Sequence, residues 1–416
     1  MLVHSASQLL TLAGGAQRGK DLGRLGIIEN GAVLICGEKI AAVGLTEDLL
    51  KRFPHEERLD ASGKVVMPGL IDPHTHLIWA GDRAAEFEMR LQGKTYMEIM
   101  AAGGGIASTM RATRQATVEE LLVQTRGRAR KMFRYGTTTA EAKTGYGLEL
   151  QSELTQLDVL LQLDAEGPLE LVPTFLPAHA IPPEYAGRED EYTRLICDIM
   201  LPAAVEFWHN RGLKRPLPFV DVFCEKGAFS LEQTRSIMVA AKRLGFPLKV
   251  HVDEFENLGG AALAVEIGAV SIDHVVRTSR EEILKLGGSQ TVAVSLPCTP
   301  FGLAQLEYTP AREIIAADGY LAVATDINPG TAWCENMQFV IALACRYLKL
   351  TPAQAVAAAT VNAAKAIRKE DSLGSLEEGK QADLLILSVS DYRHLGYRFG
   401  GNLVETVIKK GSVVKE

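Results

Sequence analysis

Val66-Met67-Pro68-Gly69-Leu70-Ile71-Asp72-Pro73-His74-Thr75-His76-Leu77 is an apolar run that closes on two histidines one residue apart. Side chains i and i+2 of a strand share a face. His74 and His76 can therefore aim at one point beyond the end of a buried strand. Neutral imidazole is the commonest protein ligand for zinc, iron and similar metals. Alone the pair is a weak signal, because short motifs recur by chance. It gains weight only if the rest of the chain supplies partners for it.

Outward from this stretch, strand and helix signals alternate over residues 69–368. Eight buried strands are expected, at 70–77, 136–144, 171–178, 219–224, 248–254, 271–275, 291–296 and 321–326. Helical patterns fill most of the gaps, among them Leu231 to Leu244, Asn336 to Tyr347 and Pro352 to Ile367. The last of these follows Thr351, a fitting N-cap with proline at the first helical position. Repeated strand–helix units imply parallel pairing with right-handed crossovers. Eight of them over some 300 residues suit an α/β fold of the (β/α)8 TIM-like barrel type. An open doubly wound sheet would want a dinucleotide fingerprint after its first strand, and none follows it here.

The flanks read differently. Residues 31–44 form a hairpin about Gly37-Glu38, and Val65-Val66-Met67 adds a short strand. Near the other end, Ala382 to Leu387 is an apolar strand, and Val404 to Ile408 with Ser412 to Val414 make a second hairpin. Two hairpins are marginal alone, so both termini are expected to meet in one small β-sandwich. The division is 1–68 and 369–416 for the sandwich and 69–368 for the barrel.

Composition bounds the function. The 416 residues are 47% hydrophobic and 23% charged, with a net charge of −7, which argues against general affinity for nucleic acid or an anionic membrane. The segment from Met1 to Gly19 does not read as a signal peptide. No stretch approaches the ~18 consecutive apolar residues of a membrane span. Six scattered cysteines without Cys-x-x-Cys indicate neither a disulfide framework nor a zinc ribbon, and a reducing, cytoplasmic setting is the simplest inference. The glycine cluster Ala102-Gly103-Gly104-Gly105-Ile106 lacks the strand before it and the Lys-Ser/Thr after it that a phosphate loop needs. A mobile loop over the barrel mouth is the expectation.

In such barrels chemistry sits at the C-terminal ends of the strands. The first expected strand ends in His74 and His76, and the third in His179. The fifth carries His251, the sixth His274, and the eighth ends in Asp326. Three histidines and an aspartate could hold one metal ion and leave room for a water whose pKa the ion lowers to ~7. An aspartate binding through one oxygen could take the water's proton with the other.

These residues resemble the amidohydrolase superfamily. The resemblance rests on Pro68-Gly-Leu-Ile-Asp-Pro-His74-Thr-His76, on His251, His274 and Asp326, and on the late Thr360-Val-Asn-Ala-Ala…Gly374-Ser-Leu…Gly379-Lys-Gln-Ala-Asp383 run. It covers nearly the whole chain. Within the superfamily the chain is similar to the hydrolases that open an imidazolone ring. That similarity is carried by His76-Leu-Ile-Trp-Ala-Gly-Asp-Arg83, the glycine cluster with Ser108 to Arg114, Glu141-Ala-Lys-Thr-Gly-Tyr146, Leu176-Pro-Ala-His179, His251-Val-Asp-Glu254 and Thr325-Asp-Ile-Asn328-Pro-Gly330-Thr331.

The resemblance implies hydrolysis of the ring amide of 4-imidazolone-5-propanoate to N-formimino-L-glutamate, a step of histidine degradation. It implies one divalent or trivalent metal ion per subunit, zinc or iron, on His74, His76, His251 and Asp326. Arg83, Tyr146, His179, Glu254, Asn328, Gly330 and Thr331 would bind substrate. Asp326, His274 and Glu254 would carry the chemistry, with His274 orienting water or moving a proton. A homodimer is implied as well. Arg83 would clamp the propanoate, while Asn328, Thr331 and the backbone at Gly330 would offer neutral donors.

Simpler readings stand beside these. Arg83 could only pair with Glu86, Tyr146 could cap a loop, and Glu254 could open a helix. Lys143, if carboxylated, could bridge a second metal at His274, but it falls on the second strand rather than the fourth, and one metal is favoured. The rival functions are another amidohydrolase, such as a nucleobase deaminase, and a non-catalytic assembly protein of the same fold. The latter is expected to lose ligands that this chain keeps.

Overall fold

The computed structural model describes residues 1–94, 98 and 104–414. Five strands precede the barrel: β1 (Leu2–Leu10), β2 (Ile27–Cys36), β3 (Lys39–Leu45), β4 (Arg58–Asp60) and β5 (Val65–Pro68). Three follow it: β14 (Leu384–Leu387), β15 (Val404–Lys409) and β16 (Ser412–Val414). Together they make one mixed sheet in the order β16-β15-β14-β5-β1-β2-β3, with β4 beside β1. The termini meet where β14 pairs antiparallel with β5, Leu385 opposite Met67. One face buries Val3, Leu9, Val33, Val66, Leu384 and Ile408. The other carries Leu2, Leu34 and Ala42 against Leu49 of the helix Thr46–Arg52.

Strand β1 runs through the Met1–Gly19 segment, where the sequence reading placed no strand. A register shift between Val3 and Ala6, with Ser5 at φ 61°, breaks its alternation. A bulge of this kind erases the period of two that marks a strand.

Eight barrel strands overlap the expected ones: β6 (Leu70–Asp72), β7 (Thr137–Lys143), β8 (Glu170–Ala178), β9 (Phe219–Cys224), β10 (Lys249–Val252), β11 (Ser271–His274), β12 (Val292–Ser295) and β13 (Tyr320–Val323), but β6 and β13 stop short of the expected 77 and 326, so His74, His76 and Asp326 stand just beyond the strand ends. They pair in sequence order from β6 to β13, all parallel. Helices cover them from outside, which is why most read as unbroken apolar runs. Ser230, Ser279 and Thr351 each open a helix with a full capping box, satisfying two otherwise orphaned backbone donors. The helix expected over 352–367 is two, Pro352–Ala358 and Val361–Ala366. It breaks because the Ala359 carbonyl accepts from the Ile71 amide of β6. Thr360 then leaves helical geometry and its hydroxyl bonds back to the Val356 carbonyl, a competition with the backbone ladder that is usual for threonine.

No ladder joins β6 to β13. The seam closes just beyond their ends. The His76 amide donates to the Ile327 carbonyl at 2.9 Å, and the Asp326 amide to the His74 carbonyl at 3.1 Å. Asp72 accepts from the Thr325 amide at 3.1 Å and from the Thr325 hydroxyl.

Candidate active site

The seam delivers His74, His76 and Asp326 to one end of the barrel, and β10 delivers His251. His74 Nε2 lies 3.4 Å and His76 Nε2 3.6 Å from Asp326 Oδ1, and His251 Nε2 lies 3.2 Å from His76 Nε2. The donor atoms of His74, His76 and Asp326 thus face one another, with His251 Nε2 beside that of His76. His74 Nε2 and Asp326 Oδ1 are buried and have no hydrogen-bond partner among the described residues. Buried polar atoms left so are costly and call for a partner. The far sides of these side chains are held. His74 Nδ1 meets Asp273 Oδ2 at 2.8 Å, His251 Nδ1 faces Asp221 Oδ2 at 3.0 Å, and the Thr299 hydroxyl donates to Asp326 Oδ2. A carboxylate behind a histidine fixes its tautomer and turns its other nitrogen to a metal.

Burial, then nearby positive groups, holds the pKa of His74 and His76 well below the ordinary value, so both are neutral with a lone pair to give. Burial pushes Asp326 up to about 7, the response of a carboxylate lacking a cation. Three nitrogens, one carboxylate oxygen and an open side fit a single divalent ion.

A cavity of about 550 Å³ opens beside these donor atoms. Arg83, Tyr146, His179, Glu254, His274, Asn328, Gly330 and Thr331 all line it. Arg83 gives its Nε to Glu86 at 2.8 Å, so the pairing weighed from sequence exists, and the outer guanidinium nitrogens stay available. A Cβ on Gly330 would sit 2.4 Å from Arg83 Nη1 and displace the guanidinium. The Asn328 loop is less open than its composition suggested. Asn328 Oδ1 accepts from the Gly330 and Thr331 amides, each at 2.8 Å, and Nδ2 donates to the Asp326 carbonyl at 2.7 Å. Those donors are spent inside the loop.

His179 stacks on His76 with ring centres 4.6 Å apart, and its Nδ1 lies 2.9 Å from the Gly145 carbonyl. A carbonyl only accepts, so Nδ1 carries the proton and Nε2 the lone pair. Burial brings its pKa down to about 3.

Sequence reading missed Asp221, Asp273 and Thr299, and also Phe223, Glu225 and Lys226 on the cavity wall. Asp221 and Asp273 left one trace, a carboxylate inside each of two apolar strands, whereas Thr299 left none. Of the glycine cluster, Ala102 and Gly103 lie outside the described residues. Gly105 caps the helix Ile106–Gln115, and Ile106 reaches the cavity.

Residues 65–414 match the model of the amidohydrolase family. The chain belongs to this family. An imidazolonepropionase from Herpetosiphon aurantiacus is 49% identical over all of this chain and 97% of its own length. One from Chloroflexus aggregans is 50% identical over all of this chain and 98% of its own. Among solved structures, E. coli guanine deaminase superposes with a TM-score of 0.71 at 16% identity, covering 100% of this chain and 98% of that one. A zinc-bound adenosine deaminase from Xanthomonas campestris gives 0.69 at 19%, covering 99% and 92%. At such identities these two speak for the fold alone.

In this amidohydrolase Lys143 stands on the second barrel strand, with its Nζ 2.7 Å from Glu141 Oε1 and 2.8 Å from Asp221 Oδ2. Its Nζ is taken up by these two ion pairs. His274 instead faces Glu254, Nε2 to Oε2, at 3.5 Å. Burial, then Asp326, pushes the Glu254 carboxyl well above its ordinary range. His274, Val275 and Asp326 all have left-handed backbones. For a β-branched residue such as Val275 this is a strained conformation, of the kind that gathers at functional sites.

Proposed function

We propose that the chain is an imidazolonepropionase, hydrolysing the ring amide of 4-imidazolone-5-propanoate to N-formimino-L-glutamate in histidine degradation. Identity near half over the full length of curated imidazolonepropionases supports this. The observation that carries it is the gathering of four donors beside a cavity whose wall bears Arg83. His74, His76, His251 and Asp326 would hold one ion, zinc or iron. That ion, when bound, supplies a hydroxide nucleophile near neutral pH and polarises a carbonyl.

The remaining roles belong to the chain. Arg83, steadied by Glu86, clamps the propanoate with its outer nitrogens. Neutral His179 accepts a ring N–H at Nε2 rather than donating to the carbonyl, because its own proton is spent on Gly145. Glu254, whose carboxyl burial pushes well above its ordinary range, donates to the departing ring nitrogen, and His274 beside it relays protons. Thr299 occupies one oxygen of Asp326 and leaves the other for the ion. Tyr146 and the Asn328–Thr331 loop shape the cavity.

The test between the two enzyme readings is substrate choice. Purified, metal-loaded protein given imidazolone propanoate should bleach the ring chromophore. Turnover of a nucleobase amine in its place would sink the reading in favour of a deaminase. Metal analysis of His251→Ala tests the ligands, and undiminished metal content would remove His251 from the set.

Phe301, Trp333, Tyr347 and Phe399 are each 45–59% exposed on neighbouring ground, and an apolar patch of this kind supports a homodimer. All six cysteines are free, in keeping with a cytoplasmic enzyme. No helix of the described residues is long and apolar enough to cross a membrane.

A further inference from the structure

Behind the histidines lies a charged cluster that no step above uses. Lys143, fully buried on β7, faces carboxylates from three directions. Its Nζ is 2.7 Å from Glu141 Oε1, 2.8 Å from Asp221 Oδ2 and 3.7 Å from Asp273 Oδ2. Each of these leads to the donor set. Asp221 uses the same Oδ2 to meet His251 Nδ1, and Asp273 uses its Oδ2 to meet His74 Nδ1. The other oxygen of Glu141 accepts from the Thr75 amide at 3.1 Å, between His74 and His76. The Lys143 amide itself donates to the Thr75 carbonyl at 3.0 Å. One side chain thus stands one bond behind the supports of three histidines.

The energetics require a cation there. Three buried carboxylates near one another repel and are poorly solvated. With no positive charge between them nothing would hold their oxygens in one place. A displaced aspartate no longer anchors an imidazole N–H, and the metal-facing nitrogen loses its orientation with it. A second buried cation, Lys249, is 3.6 Å from Asp273 Oδ2 and bonds the Ser271 hydroxyl at 2.6 Å. It meets neither Asp221 nor Glu141 within ion-pair distance, so it cannot replace Lys143.

We propose that Lys143 is a positioning residue for the metal: its ammonium tethers Asp221 and Asp273 in place, and through them sets the orientation and affinity of His251 and His74. This rests on the ligand reading given above, and the two can fail separately. The cluster is not a second metal site, because the ammonium already occupies the gap between its carboxylates.

The test is the affinity of the holoenzyme for zinc, measured by chelator competition, together with the visible spectrum of the cobalt-substituted protein. Lys143→Met keeps the length and removes the charge. It should weaken zinc binding roughly ten- to a hundredfold, the usual effect of removing a partner behind a ligand, and alter the cobalt bands. Lys249→Met should do less. If Lys143→Met does not fold, Glu141→Gln with Lys143→Met removes one charge of each sign and eases the repulsion. Its zinc affinity should still fall, because nothing tethers Asp221. Wild-type zinc affinity and cobalt bands in either variant would overturn the proposal. If His251→Ala abolishes zinc binding while Lys143→Met leaves it intact, the ligands stand and only the role of Lys143 is lost.

Discussion

Glu170 opens barrel strand β8, yet its carboxylate belongs to the terminal sheet. Lys409 of β15 reaches it at 3.2 Å and Asp383 at 2.6 Å, and Gln381 and Lys369 also bond Glu170. Burial pushes the Glu170 carboxyl up, but Lys409 and then Lys369 outweigh it and bring it from 4.5 to about 2. At about 1.4 kcal/mol for each pH unit, that difference is worth about 3 kcal/mol to the folded state at neutral pH. The folded value is depressed, so this stability is complete above the unfolded value of 4.5 and drains away as pH falls towards 2. Glu170→Gln should therefore lower stability by up to about 3 kcal/mol at pH 7, and the gap to wild type should narrow below pH 4.5. Urea unfolding of both proteins in metal-free form, followed by tryptophan fluorescence from pH 7 down to pH 3, measures the gap. A gap that is the same at both ends would refute the reasoning and reduce Glu170 to a packing group.

Arg83→Ala should raise KM more than it lowers kcat, with kcat/KM falling roughly ten- to a hundredfold for the loss of charge-assisted bonds of about 1.5–3 kcal/mol. Gly330→Ala, whose new Cβ would collide with Arg83 Nη1, should mimic it in steady-state kinetics while zinc content stays at wild-type level. Asp72→Ala strips the Thr325 amide and hydroxyl of their acceptor. It should cost about 2–5 kcal/mol, at about 1–3 for each buried group left unpaired, read by urea unfolding.

The eight strands were legible because parallel strands covered on both faces must be apolar throughout, and turns with a few histidines mark their ends. What stayed hidden has a common cause. Lys143, Asp221 and Asp273 come from the second, fourth and sixth barrel strands. Alternate strands of such a barrel contribute to the same interior layer. Three charges more than fifty residues apart in sequence therefore become neighbours only when the barrel closes. β7 itself reads Thr-Thr-Thr-Ala-Glu-Ala-Lys, polar for a strand, yet every residue of it is buried. The broken helix at Ala359 was hidden for a related reason, since its carbonyl is claimed by a strand nearly 290 residues earlier.

The seam gives these facts one consequence. Between β6 and β13 no regular ladder forms, and the bonds that join them belong to Asp72, His74, His76, Thr325, Asp326 and Ile327. Two of the six belong to the proposed donor set just past the first strand, and one just past the eighth. An ion shared by His74, His76 and Asp326 would therefore cross the seam and add its own bonds to the few that close it. Binding to the folded state alone stabilises that state in proportion to the logarithm of ligand concentration over Kd. The coupling also runs the other way, because a barrel that opens at this seam separates the donors. The absence of a ladder between β6 and β13 therefore makes closure of the barrel and assembly of the donor set one event. Lys143, Asp221 and Asp273 on the even strands brace that event from behind.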